Sequence, residues 1–346
     1  MKRRWIYWLL VLAFLWIVFS RFNELSDFSQ IIAQGRFQWV LVAIALQIFQ
    51  YLISSASFRT AFSTVGIESR IRDLFPLFFG SMFVNVVAPA GGASGAALFV
   101  DHAARRGQPP ARAAAGLILQ LITSLIAVFI IIIAGLVYLG LQGGLQLYQI
   151  AAASYLLFAI SVISLILTLA LWRPDLLRSV LGWLQNTANA LMRKVKRDDL
   201  FSEDWADRQA GDLTAAGQAI TARPGWVIST LCVLIFSHVV SLAGLYTLFL
   251  AFSETVSIGS LVAGYAVGVL FLIVSVTPQG IGIVEGIMPS VFASLGVSNA
   301  AATLTVFAFR GLSLWLPLLV GFIILRRLDI FHNRESLSVK SASEGD

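Results

Sequence analysis

The chain has 346 residues, of which 58% are apolar and only 12% charged, with a formal net charge of +6. An ordinary soluble domain carries roughly 25% charged residues; a soluble fold of this length cannot cover itself with so few, which excludes a soluble enzyme or a disordered regulator and leaves a polytopic, all-α integral membrane protein. The basic residues fall between apolar runs rather than in one patch, so they read as topology signals and no nucleic-acid partner is expected.

A hydrocarbon core of roughly 30 Å takes about 20 helical residues. The first apolar run, 5–20, follows Met1-Lys2-Arg3-Arg4 and lacks a small-residue cleavage site, so it is expected to stay as a signal anchor. Residues 38–57 form the second span. The stretch 74–100 is apolar but is interrupted at Ala88-Pro89-Ala90-Gly91-Gly92, where proline and glycine break a helix. Residues 113–139 and 148–172 are full spans. The loop 173–224 carries an apolar stripe (Leu176, Leu177, Val180, Leu181, Leu184, Leu191, Met192 and Val195) beside the basic run 193–197, the pattern of an amphipathic helix on the inner leaflet. The acidic residues of 198–212 are expected to be solvated, and a cap on the inner mouth of a cavity is a further option. Residues 226–252 span again. The stretch 258–295 is broken at Thr277-Pro278-Gln279-Gly280-Ile281-Gly282, and 301–325 is the last span. The expectation is one transmembrane domain over 1–332 and a disordered tail over 333–346.

If the two broken stretches turn back inside the membrane, every strongly basic loop lies on one side, and both termini are cytoplasmic. If they are kinked full spans, Arg105, Arg106 and Arg112 fall outside together with the 193–197 run. The first arrangement gives about six full spans plus two re-entrant hairpins, and the expected location is a bacterial plasma (inner) membrane. The broken stretches also align with each other at a constant offset of 189 residues: Pro89 with Pro278, Gly91 with Gly280, Gly107 with Gly296, Ser124 with Ser313. The hairpins enter from opposite sides, so the repeat is expected to be inverted, with a polar site where the breaks meet.

Two charges stand alone in apolar surroundings. Glu285 follows the second break, and Arg310 lies ten residues into the last span. A charge within the membrane faces protein or water. Arg310 has the geometry for a lipid phosphate, with Glu285 as its counter-ion or as a proton carrier; the other reading is a static pair that fixes the hairpin to the last span. The remaining substrate-binding candidates are Asn85 and Gln120, as polar groups in apolar helices, and the break residues Pro89, Gly92, Pro278, Gly280 and Gly282. No cofactor is expected. The histidines His102, His238 and His332 lack metal-ligand spacing, the lone Cys232 has no partner, and neither a phosphate-binding loop nor a nucleophile elbow occurs.

The segment Asn85-Val86-Val87-Ala88-Pro89-Ala90-Gly91-Gly92-Ala93-Ser94-Gly95 resembles the first motif of the lysylphosphatidylglycerol synthase transmembrane (flippase-like) family. Thr277 through Gly286 is similar to its second motif, and Arg310…Trp315-Leu316-Pro317 to the arginine and Trp-x-Pro that follow. The resemblance implies lipid or lipid-linked-precursor translocation, with a membrane phospholipid as partner. Many members carry Glu after the first break, where this chain has Ala93 to Ala97, and an acid where Gln120 stands, so a carboxylate in both halves is not expected. The chain stops soon after the last span, which implies the translocating half without a soluble aminoacyl-transferase domain. Two other functions stay open: an integral-membrane lipid transferase using Asp101 and His102, and a non-catalytic partner of an envelope-lipid enzyme. So does a homo-oligomer.

Overall fold

The computed structural model describes residues 35–87, 93–194, 202, 204–275 and 277–327. The expected anchor 5–20, the first break with Pro89 and Gly92, and the tail 333–346 lie outside them. Every regular element among the described residues is helical. In chain order these are α1 (Phe37–Thr64), α2 (Ile71–Val87), α3 (Ala93–Arg105), α4 (Pro110–Leu141), α5 (Leu147–Trp172), α6 (Pro174–Lys194), α7 (Trp205–Ala222), α8 (Pro224–Ala251), α9 (Ile258–Val274), α10 (Ile283–Ser294), α11 (Asn299–Arg310) and α12 (Leu316–Arg327).

Among the described residues four segments are long and apolar enough to cross a membrane: Phe37–Thr64, Pro110–Leu141, Pro224–Ala251 and Asn299–Leu325. The chain is a polytopic membrane protein. The predicted span 148–172 is the 26-residue helix α5, whose Tyr155, Leu157, Phe158 and Leu165 are exposed. The last span is one rod with a wide turn in it. Gly311–Trp315 is π-helical, because Pro317 in the following turn has no N–H for the carbonyl four residues back and its ring crowds that position.

Both broken stretches fold back on themselves. Gly264 and Gly268 of α9 are pressed against the Phe292 ring and the Met288 sulfur of α10. These pairs close symmetrically on the break at 278–282, so the two halves run antiparallel. In the first hairpin Gly95 of α3 lies against Asn85 and the Ser81 carbonyl of α2, and Gly80 lies against Leu98. The halves of a kinked full span would point away from each other and make no such contacts.

The repeat is larger than the motif alignment. Helices α1 and α8 are both 28 residues long and each precedes its hairpin. They pack antiparallel along their length: Arg36 N–H donates to the Ala251 carbonyl (2.9 Å), Thr230 Oγ1 to Thr60 Oγ1 (2.9 Å), and Arg223 Nη1 to the Ser63 carbonyl (3.0 Å). Equivalent helices that meet antiparallel make the two repeats inverted. The hairpins are exchanged as well. Helix α9 seats on Gly135 of α4, and α2 seats on Gly321 of α12. Each hairpin therefore packs on the long span of the other repeat.

Between the repeats lie α5, α6 and α7. The acidic residues expected to be solvated are so where described, with Asp204 and Asp207 exposed, and from Trp205 onward the stretch is the front of helix α7. The helix packs on α4, α5 and α6, with Ala206, Ala210 and Gly217 buried. Gln185 of α6 accepts the Ala206 N–H (3.0 Å), and Arg178 pairs with Asp207 at 2.6 Å. The apolar stripe of α6 is divided: Leu177 is buried and packs with Ala210, Leu181 and Leu213, while Leu176, Val180 and Leu184 stay exposed beside Trp183.

Candidate functional site

The second break places its charges by a chain of local causes. Pro278 starts a single tight turn, and Gln279 takes a left-handed backbone with φ 54°. A non-glycine side chain in that region is strained. The turn aims the Gln279 carbonyl at the last span, where Arg310 Nη2 donates to it at 2.8 Å. Gly280 follows at φ 67°; a methyl group there would sit 2.7 Å from the Val284 side chain and 3.0 Å from the Leu272 backbone. Gly282 caps α10, and its N–H donates to Glu285 Oε2 at 2.8 Å, so the third residue of the helix reaches back to its own start. The other carboxylate oxygen, Oε1, accepts from Arg310 Nε at 2.6 Å.

The two charges are thus a buried pair, with side chains 4% and 6% exposed for Arg310 and Glu285. Both carboxylate oxygens and two guanidinium nitrogens are engaged, which is what a desolvated pair needs to persist. The pair is not walled off entirely. Arg310 lines a cavity of about 170 Å³, whereas Glu285 lies behind its wall.

The cavity sits between the hairpins. The first lends Phe78 and Met82, and the second lends Gly268, Leu272, Gln279 and Met288. The opposite wall comes from the central helix pair: Gln47, Gln50 and Tyr51 of α1 and Ser241 of α8, all near the middle of 28-residue helices. The cavity thus lies about halfway along both central helices. Gln47 Nε2 donates to Gln50 Oε1 (3.1 Å), and Gln50 Nε2 donates to Ser54 Oγ (2.9 Å) and Ser237 Oγ (3.1 Å). Tyr51 donates to the Leu312 carbonyl in the π-helical turn. Tyr265, also on the wall, shares a 2.8 Å hydrogen bond with His238 Nδ1.

Of the described sequence candidates, Arg310 lines the cavity, Glu285 pairs with it from behind the wall, and Pro278, Gly280 and Gly282 build the turn that carries Gln279. Asn85 does not line the cavity. Its Oδ1 accepts the Gly95 N–H at 2.8 Å and ties the two halves of the first hairpin together. Gln120 is half-buried on α4 and is also absent from the lining. Pro89 and Gly92 lie outside the described residues. Asp101 accepts from Arg105 at 2.8 Å on the surface.

Sequence reasoning missed the Gln279 carbonyl, which is backbone and leaves no residue-type signal. It also missed the amide and hydroxyl face of the central helices, although Gln47, Gln50 and Ser54 are spaced three and four residues apart, as one helix face requires.

The family described as Lysylphosphatidylglycerol synthase TM region matches residues 5–321 of this chain. A curated relative, UPF0104 membrane protein MJ1595 of Methanocaldococcus jannaschii, is 20% identical over 324 residues, which cover 92% of this chain and 93% of that protein.

Proposed function

The chain belongs to the lysylphosphatidylglycerol synthase transmembrane family, and from that premise we propose that it translocates a membrane lipid or lipid-linked precursor. One observation carries the reading: a buried arginine on the wall of a cavity between the hairpins, backed by its own carboxylate. Arg310 receives the lipid phosphate, since guanidinium matches its geometry. Glu285 and the Gln279 carbonyl fix the guanidinium plane and balance its charge while the cavity is empty. The headgroup crosses through the cavity, and the acyl chains stay in the bilayer. A cavity of about 170 Å³ suits that division, because sites for whole drug-sized ligands are roughly 300–1,000 Å³. Inverted hairpins exchanged between repeats supply two related arrangements of one site, open to either leaflet in turn. In this reading both termini are cytoplasmic and the membrane is a bacterial plasma membrane. Movement is downhill or driven by a gradient.

The test is translocation of labelled anionic phospholipid in vesicles that contain the purified chain. Wild type accelerates it. Arg310→Ala abolishes the acceleration, and Glu285→Ala reduces it because the arginine loses its orientation. Equal rates in all three proteins sink the assignment.

A further inference from the structure

The lining of the cavity bears on which headgroup it takes, and the inference rests on the translocase reading above. Arg310 is the one charged residue on the described lining. The nearest carboxylate, Glu285, is behind the wall with both oxygens bonded, one to Arg310 and one to Gly282 N–H. An ammonium group brought into this cavity would therefore find no free carboxylate among the described lining residues, and an unpaired charge in a desolvated site is costly.

The remaining polar groups are neutral. Gln47 and Gln50 are chained by hydrogen bonds that use both N–H groups of Gln50, so Gln47 Oε1 is left as an acceptor on the wall. Ser241 lies across from them on α8. Ser313, one turn after Arg310 on the same rod, lines the cavity, and its buried hydroxyl has no hydrogen-bond partner. A buried polar atom without a partner calls for one, and a phosphate oxygen held by Arg310 is within the same part of the wall.

We propose that the cavity selects a phosphodiester headgroup esterified to a polyol or sugar and disfavours one that carries a primary amine. Arg310 and Ser313 take the phosphate. Gln47 Oε1, held in place by Gln50, and Ser241 take the hydroxyls, which as both donors and acceptors match amide and serine groups.

The experiment uses the full chain in phosphatidylcholine vesicles containing phosphatidylglycerol in one arm and phosphatidylethanolamine in the other. Added periodate reports outer-leaflet arrival of the glycerol diol, and trinitrobenzenesulfonate reports the amine. The glycerol lipid is expected to cross at least about tenfold faster, the scale set by one polar group left unpaired. The near-isosteric Gln47→Glu supplies a carboxylate on the wall and is expected to raise the amine-lipid rate and lower the glycerol-lipid rate. Equal rates for the two lipids in wild type, both lost in Arg310→Ala, overturn the selectivity and leave translocation standing. Absence of any protein-dependent movement overturns both.

Discussion

The two halves of the molecule share one architecture and divide the chemistry unequally. Each has a 28-residue helix, a hairpin and a long span, and the halves are inverted and exchange hairpins. At the 189-residue offset, Glu285 corresponds to Ala96 and Arg310 to Leu121. The first half closes its hairpin with a neutral bond, Asn85 to Gly95. The second caps the start of its returning limb with a carboxylate that also holds an arginine from the next helix. Symmetry of fold thus supplies the cavity between the hairpins, while one half supplies its charge. The first half is not idle, since α1 and α2 build the neutral wall facing Arg310.

Substitutions at matched positions sharpen this contrast. Glu285→Ala should cost the most, about 3–5 kcal/mol in thermal unfolding in detergent, because it leaves Arg310 buried without its counter-charge. Replacing both members of the pair by leucine should recover most of that stability, since no unpaired charge remains, yet should leave translocation abolished. That combination separates the pair's structural role from its functional one; recovered transport in the double variant breaks the comparison. Gly280→Ala comes next, at about 2–3 kcal/mol, from the left-handed backbone and the contacts with Val284 and Leu272. Its translocation rate should fall with stability, because the same turn aims the Gln279 carbonyl. In the first half, Asn85→Ala should cost about 1–2 kcal/mol for the orphaned Gly95 N–H and should leave the headgroup preference unchanged. Ala96→Ser, at the position matching Glu285, should stay within about 0.5 kcal/mol. A loss there as large as that of Glu285→Ala would show that this position is as tightly constrained as its counterpart.

Much of the fold was legible because membrane chains write their exceptions plainly. Proline and glycine in apolar stretches announced both breaks, and the sparse basic residues favoured hairpins over kinks. Glu285 and Arg310 stood out as costly charges, and they do meet. The extension of the repeat to α1 and α8 was hidden, since apolar spans align with almost any register; only their antiparallel contacts reveal it. Asp207 of α7 is exposed as its charge required, but the helix itself was hidden because its buried positions Ala206, Ala210 and Gly217 are small residues that give little apolar signal. Gln120 and Asn85 attracted notice for being polar. One of them serves its own hairpin, and neither reaches the cavity. The Gln279 carbonyl and the π-helical turn after Arg310 depend on backbone conformation, which residue types specify only loosely.

In the proposed mechanism a lipid phosphate rests on Arg310. Solid-state NMR on the full chain in phospholipid bilayers, with nitrogen-labelled arginine and natural phosphorus, measures it directly. A phosphate held there gives a short-range coupling between the Arg310 guanidinium and lipid phosphorus, assigned by its loss in Arg310→Lys. A spectrum in which only the surface arginines, such as Arg105 and Arg112, couple to phosphorus, unchanged by that substitution, would contradict it.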